Sequence, residues 1–185
     1  MRSIIIFLFL FYDLSSYSQE NDTIIFWSES ELLKWADFNA EEDSLSFPLS
    51  HGGYANAITV VGIEVVEMNL DCYRLQGTFY KNASWTTTNR NTVLVHEQGH
   101  FDLMELVARN LRKKLLKKKE QCQEFSFYDE IGIAYDMYDS LSTFYDKSTK
   151  HGIYDMPQNI WNEKIQSGLD SLKDYTGDIV ICYCE

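Results

Sequence analysis

The sequence predicts an α+β domain in which one long helix packs with further helices against a small antiparallel sheet. Three observations predict this class. Residues 57–68 are rich in Ile and Val, and an alternating run at 72–80 follows them across a short turn, as in an antiparallel pair. A helix-period apolar pattern occupies residues 92–119. Two more helical patterns come after it rather than alternating with strands, which separates α+β from a parallel α/β sheet.

The elements follow in chain order. Residues 1–18 have the form of a secretory signal peptide: Arg2 near the start, an apolar run at 4–12, and the small residues Ser16 and Ser18 before an expected cleavage. The run is too short to span a bilayer. Residues 19–185 then form the expected single domain. Residues 24–27 read as a short strand and 29–37 as a brief helical or turn-like segment, followed by a polar loop at 39–46. The strands at 57–68 and 72–80 are joined by a turn at 69–71, with Tyr73, Leu75, Gly77 and Phe79 on one side. Residues 81–91 form a polar connection containing Trp85. The helix at 92–119 is capped by Asn91 or Thr92. Its first half is apolar on most sides, as a buried central helix requires. Its end, from Arg112 to Lys119, reads as a solvated basic stretch that complements the helix dipole, in preference to a groove for acidic substrates. Helices at 127–145 and 157–172 flank a polar segment at 146–155, and a strand at 178–183 closes the chain.

The chain carries a net charge of −12, and loss of Arg2 and Asp13 with the leader leaves that value unchanged. This acidity argues against a nucleic-acid partner. No further long apolar segment exists, so stable membrane insertion of the mature chain is not expected. The four cysteines, Cys72, Cys122, Cys182 and Cys184, all follow the leader, and export permits disulfides. Three complete pairings are possible, and spacing does not choose among them. All four are expected to be oxidised; the paired C-x-x-C knuckles of a thiolate metal site are missing.

The chemically informative segment is His96-Glu97-Gln98-Gly99-His100, an H-E-x-x-H motif inside the central helix. Two histidines four apart lie on one helical face, so both imidazoles can reach one Zn²⁺ at about 2.1 Å. Glu97 lies between them on the same broad arc, where it can act as general base on a metal-bound water. The plainer alternative is a buried helix whose histidines only bond to neighbours. Against it stands the cost of placing a carboxylate on an apolar arc with Val93, Met104, Val107 and Leu111.

Catalytic zinc commonly has three protein ligands and a water. The extended H-E-x-x-H-x-x-G-x-x-H pattern is absent, because Leu103 and Leu106 stand at its later positions. Glu105 lies on the opposite side of the helix from His96 and reads as an ion pair with Arg109. Asp102 also points away from the metal arc. The third ligand is therefore sought elsewhere: His151 in a polar turn, His51 beside two glycines, or an acid of the following helix such as Glu130, Asp136 or Asp139.

Three segments resemble the bacterial domain-of-unknown-function family 922, whose members are described as secreted zinc-dependent proteases. They are Leu33-Lys34-Trp35-Ala36-Asp37-Phe38, the motif with Phe101, Asp102, Leu103, Glu105, Ala108 and Arg109, and Tyr145-Asp146 with Thr149, His151, Gly152, Gln158 and Trp161. The resemblance implies an exported metallopeptidase-like protein, zincin-like in fold, with His151 raised as the third zinc ligand beside His96 and His100; it supplies no substrate, and a peptide or protein substrate is the expectation of the H-E-x-x-H motif itself. The expectation is then an exported, periplasmic or extracellular zinc metallopeptidase using Glu97. The competing expectation is a zinc-binding or structural module of the cell envelope without turnover. A free coordination position favours the first and an occupied one the second.

Overall fold

The computed structural model describes residues 23–42, 56–69 and 71–183. The expected leader at 1–18 and the candidate His51 lie outside them. Within them the chain is α+β, with three long helices and a small antiparallel sheet.

Strand β4 (Cys72–Tyr80) organises the sheet. On one edge it pairs antiparallel with β3 (Val61–Asn69), from Val61 opposite Phe79 to Asn69 opposite Cys72. Its other edge is shared: β1 (Ile24–Phe26) pairs with the Phe79 end, and β6 (Val180–Cys182) with the Cys72 end. Cys72 and Cys182 face each other in that register and form a disulfide, which ties the last strand to the sheet centre. Cys122 is exposed after the central helix, and Cys184 lies outside the described residues.

The strand expected at 57–68 is interrupted. Residues Ala57–Ile58 leave the main sheet as β2 and pair with β5 (Trp85–Thr86). The break is held by side chain and backbone: the Val60 N–H donates to Ser84 Oγ at 2.9 Å, and Ser84 in turn donates to the Tyr80 carbonyl at 2.8 Å. β-propensity alone cannot reveal such a change of partner.

Helix α1 (Asn91–Glu120) has 30 residues and lies between the sheet and the other two helices. Met104, Val107, Ala108, Leu111 and Leu115 bury one side of it against Ile63 and Leu75 of the sheet and Ile181 of β6. On the other side, Leu103 meets Tyr145 of α2 (Phe127–Thr149) and Trp161, Ile165 and Leu169 of α3 (Asp155–Ser171). A third cluster of Leu33, Phe38, Phe79 and Phe101 closes the end near β1. Arg90, rather than Asn91 or Thr92, holds the capping position of α1, with no side-chain cap; its carbonyl accepts from Val93 and Leu94.

The basic end of α1 also differs from the solvated stretch expected of it. Arg112 is fully buried. Lys114 and Lys118 each reach Glu130 at 2.6 Å, pinning the start of α2 to α1. Burial opposes the Glu130 charge, but the two lysines outweigh it and hold its pKa below the ordinary value. Among the described residues, no helix is long and apolar enough to cross a membrane.

Candidate metal centre

His96, Glu97 and His100 lie in the first turns of α1, where the helix passes under α2 and α3. His96 and Glu97 are 1 % and 5 % exposed, so both polar groups are committed to the interior. Gly99 makes the close approach possible: a Cβ there would overlap the Tyr145 hydroxyl, which donates to the His96 carbonyl at 3.0 Å. The Tyr145 ring also stacks on His96, with centroids 4.6 Å apart and planes 15° apart.

Each imidazole has its Nδ1 occupied by protein and its Nε2 turned to a common point. His96 Nδ1 is 3.1 Å from Gln158 Oε1. The same amide donates through Nε2 to the Tyr145 hydroxyl at 2.6 Å and to Asn162 Oδ1 at 2.8 Å. With both amide hydrogens so used, Oε1 is an acceptor, and His96 Nδ1 carries the hydrogen. Its Nε2 is left with a lone pair for another partner. His100 Nδ1 is 3.2 Å from Ser142 Oγ. The two Nε2 atoms are 3.3 Å apart, and each is 3.0 Å from Asp146 Oδ1.

Asp146 comes from the last turn of α2, which runs four residues beyond the expected end at Tyr145. Thr149 Oγ1 returns to the Tyr145 carbonyl at 2.8 Å, and Lys150 ends the helix in the left-handed region. Lys150, His151 and Gly152 have φ of 54°, 52° and 74°, a run of left-handed residues that is costly outside glycine. The turn folds His151 back over the helix, and its Nδ1 lies 3.4 Å from Asp146 Oδ1. A Cβ at Gly152 would stand 2.7 Å from His96 Cβ, so that turn can press against α1 only with glycine there.

His96, Asp146 and His151 form a group that could bind a metal ion: their ligand atoms all lie within 4.8 Å of one another. The His151 ring centroid is 6.3 Å from that of His96, whereas His100 stands at 4.8 Å. Donors held tetrahedrally at about 2.1 Å from one ion lie about 3.4 Å apart. The His96, His100 and Asp146 atoms, at 3.0–3.3 Å, fit that size.

The electrostatics suit a cation. Burial acts against the Asp146 charge, yet hydrogen bonds from His100, His151 and His96 outweigh it and keep the carboxyl well below the usual carboxylate range. For His100, burial works against protonation, but the bond to Asp146, the Asp146 charge and the Glu97 charge outweigh it and raise its pKa.

These groups open onto a cavity of 640 Å³ lined by Glu97, His96, His100, Asp146 and His151. The lining also includes Asn56, Ala57, Ile58 and Thr59, in and beside the diverted β2, and Arg90. The other acids considered from sequence do not join the site: Glu130 is held by lysines, and Asp136 and Asp139 are exposed. Asp102 accepts from Trp27 Nε1 and Gln98 Nε2, both at 2.8 Å. Asp146 is the site residue that sequence reasoning missed as a ligand. Its signal was helical spacing, since Tyr138, Ser142, Tyr145, Asp146 and Thr149 share one face of α2.

Compared with protein-family models, with curated proteins and with solved structures, the chain matches none.

Proposed function

We propose that this chain is an exported zinc-dependent metallopeptidase, zincin-like in the arrangement of its H-E-x-x-H helix. The observation that carries the reading is the convergence of His96 Nε2, His100 Nε2 and Asp146 Oδ1 within 3.3 Å of one another beside the buried Glu97 on an open cavity. Two nitrogens and one carboxylate oxygen are a ligand set that zinc accepts. A zinc ion bound there would polarise a carbonyl and lower the pKa of water. Glu97 takes the proton of the attacking water and passes it to the leaving amine, while the buried surroundings keep its carboxylate close to the reacting atoms. The 640 Å³ cavity, walled by extended backbone at β2, is of a size for a stretch of peptide. The same residues carry the resemblance to family 922, and kinship with it is part of the proposal, as are the leader at 1–18 and a periplasmic or extracellular location.

His151, the third ligand expected from sequence, stands on the cavity rim with its side chain 36 % exposed. We assign the inner set to His96, His100 and Asp146, with His151 as the next donor. One observation favours the non-catalytic zinc module instead: His151 Nδ1 is 3.4 Å from Asp146 Oδ1, close enough to complete a four-ligand shell. Metal analysis with Glu97→Gln separates the two. The purified protein is expected to hold about one zinc per chain, and Glu97→Gln to keep it while losing hydrolysis of a peptide library. A zinc-loaded wild type inert toward that library would decide for the module.

A further inference from the structure

We propose a second ligand site on the far side of α1 from the metal centre: a pocket that takes a small alkylammonium ion, with its charge at Asp102 Oδ2 and its chain among Leu33, Leu94 and Ile165. The pocket has a volume of 270 Å³ and lies between the segment after β1, α1 and α3. It shares no lining residue with the cavity at His96 and His100. Leu94, Gln98 and Asp102 recur every four residues along α1 and form one face. Gln98 stands two residues from each histidine, about 200° away around the helix. The site is therefore independent of the metallopeptidase reading.

The polar side of the pocket is a carboxylate used on one oxygen only. Asp102 Oδ1 accepts from Trp27 Nε1 and from Gln98 Nε2, both at 2.8 Å. Gln98 is fixed in turn by the Leu33 N–H, which donates to its Oε1 at 2.8 Å. Oδ2 accepts nothing from the described residues, yet it is not sealed from solvent. Nor does a cation among those residues pair with it. The Arg109 guanidinium, 4.9 Å above the Trp27 ring, donates instead to Glu105 and to the Leu169 carbonyl. Burial raises the Asp102 pKa; the bonds from Trp27 and Gln98 oppose that shift, and the Glu105 charge adds to it. A cation at Oδ2 relieves both the burial and the like charge. One oxygen is too few ligands to hold a metal ion. An ammonium group needs only an acceptor, and the apolar walls take its hydrocarbon chain out of water. The pocket lies just below the size range of drug-sized sites, which suits a chain of about five carbons.

The probe is 3-methylbutylammonium, titrated calorimetrically into the zinc-loaded full chain. Saturable binding is expected, and 3-methylbutan-1-ol, with the same chain and no charge, should bind at least about tenfold more weakly. Asp102→Asn keeps Oδ1 for Trp27 and Gln98 but puts an N–H donor where Oδ2 stood, and should also cost at least about tenfold. No saturable binding, or an alcohol that binds as well as the amine, would overturn the assignment. An amine held by the zinc instead would bind Asp102→Asn as tightly as wild type, and that result overturns it too. Should Asp102→Asn fail to fold, Val95→Phe provides the second arm. Val95 lines the same pocket and is 45 % exposed, so a larger ring there fills the pocket without touching the Asp102 bonds. Loss of amine binding in that variant supports the site, and undiminished affinity overturns it.

Discussion

Helix α1 buries two clusters of charged and polar groups about two turns apart, and they are built in opposite ways. Glu105, Arg109 and Arg112 are 2 %, 5 % and 0 % exposed. Glu105 Oε1 accepts from Arg109 Nε and Arg112 Nη1, and Oε2 from Arg112 Nη2, all at 3.0 Å. Three further bonds reach backbone: Arg109 to Leu169 at 2.7 Å, Arg112 to Leu75 at 2.8 Å and to Tyr175 at 2.6 Å. Both Glu105 oxygens meet guanidinium donors, and these bonds lock α1 to the sheet, to α3 and to the segment before β6. At the other cluster, nitrogens from three histidines crowd one oxygen of Asp146, and two Nε2 atoms face each other at 3.3 Å. At most one hydrogen fits between two such nitrogens. Convergent lone pairs on an open cavity suit a cation from outside; a carboxylate whose two oxygens already meet guanidinium groups does not. The difference separates a structural charge cluster from a candidate metal centre on a single helix.

The sharpest way to break this comparison is to remove one partner from each cluster. Glu105→Ala leaves Arg109 and Arg112 buried without a counter-charge, and removing one partner of a buried pair costs about 3–5 kcal/mol. Denaturant unfolding of the metal-free protein should show that loss. His96→Ala and His100→Ala should abolish stoichiometric metal while shifting metal-free stability far less. Full zinc retention by either histidine variant would sink the site, and an unchanged midpoint in Glu105→Ala would sink the structural role of the first cluster.

The next prediction concerns which donors form the inner set. Asp146→Asn removes the charge and should weaken zinc affinity by on the order of 10²-fold or more, whereas His151→Ala should cost about tenfold, comparable to loss of an outer partner. Competition titration with a chelator measures both. The reverse order would restore His151 to the third position expected from the sequence.

What the sequence made legible was local. His96, Glu97 and His100 sit within one helical arc, and spacing alone placed them on one face. Glu105 and Arg109 were readable as an i, i+4 pair for the same reason. Arg112 was not, because its fate depends on the Leu75 carbonyl across the sheet, 37 residues away in sequence. Asp146 was hidden by a misplaced helix end: Lys147, Ser148 and Lys150 look like a polar linker, yet Tyr145 before them and Thr149 among them are fully buried. The diversion of Ala57 and Ile58 to β5 was hidden too, since a β-branched run says how extended a segment is but not which strand it pairs with. It is that diversion which brings Ala57 and Ile58 into the lining of the cavity.

The last effect expected, of the same order as that of His151→Ala, is the most specific to the open cluster. Gln158→Leu keeps much of the side-chain volume but removes the acceptor for His96 Nδ1 and the donor to Tyr145. The His96 tautomer is then no longer fixed, so Nδ1 and Nε2 compete for the hydrogen and the ring is free to turn. Outer-sphere losses of this kind cost about 10- to 100-fold in metal affinity. The metal-free protein should lose only about 1–2 kcal/mol, the cost of unpaired buried polar groups. No such division is available at the Glu105 cluster, where every bond is spent on the fold. If Gln158→Leu lowers stability with no change in zinc affinity, the amide is only a strut between α1 and α3, and His96 owes its orientation to the Tyr145 ring stacked on it at 4.6 Å.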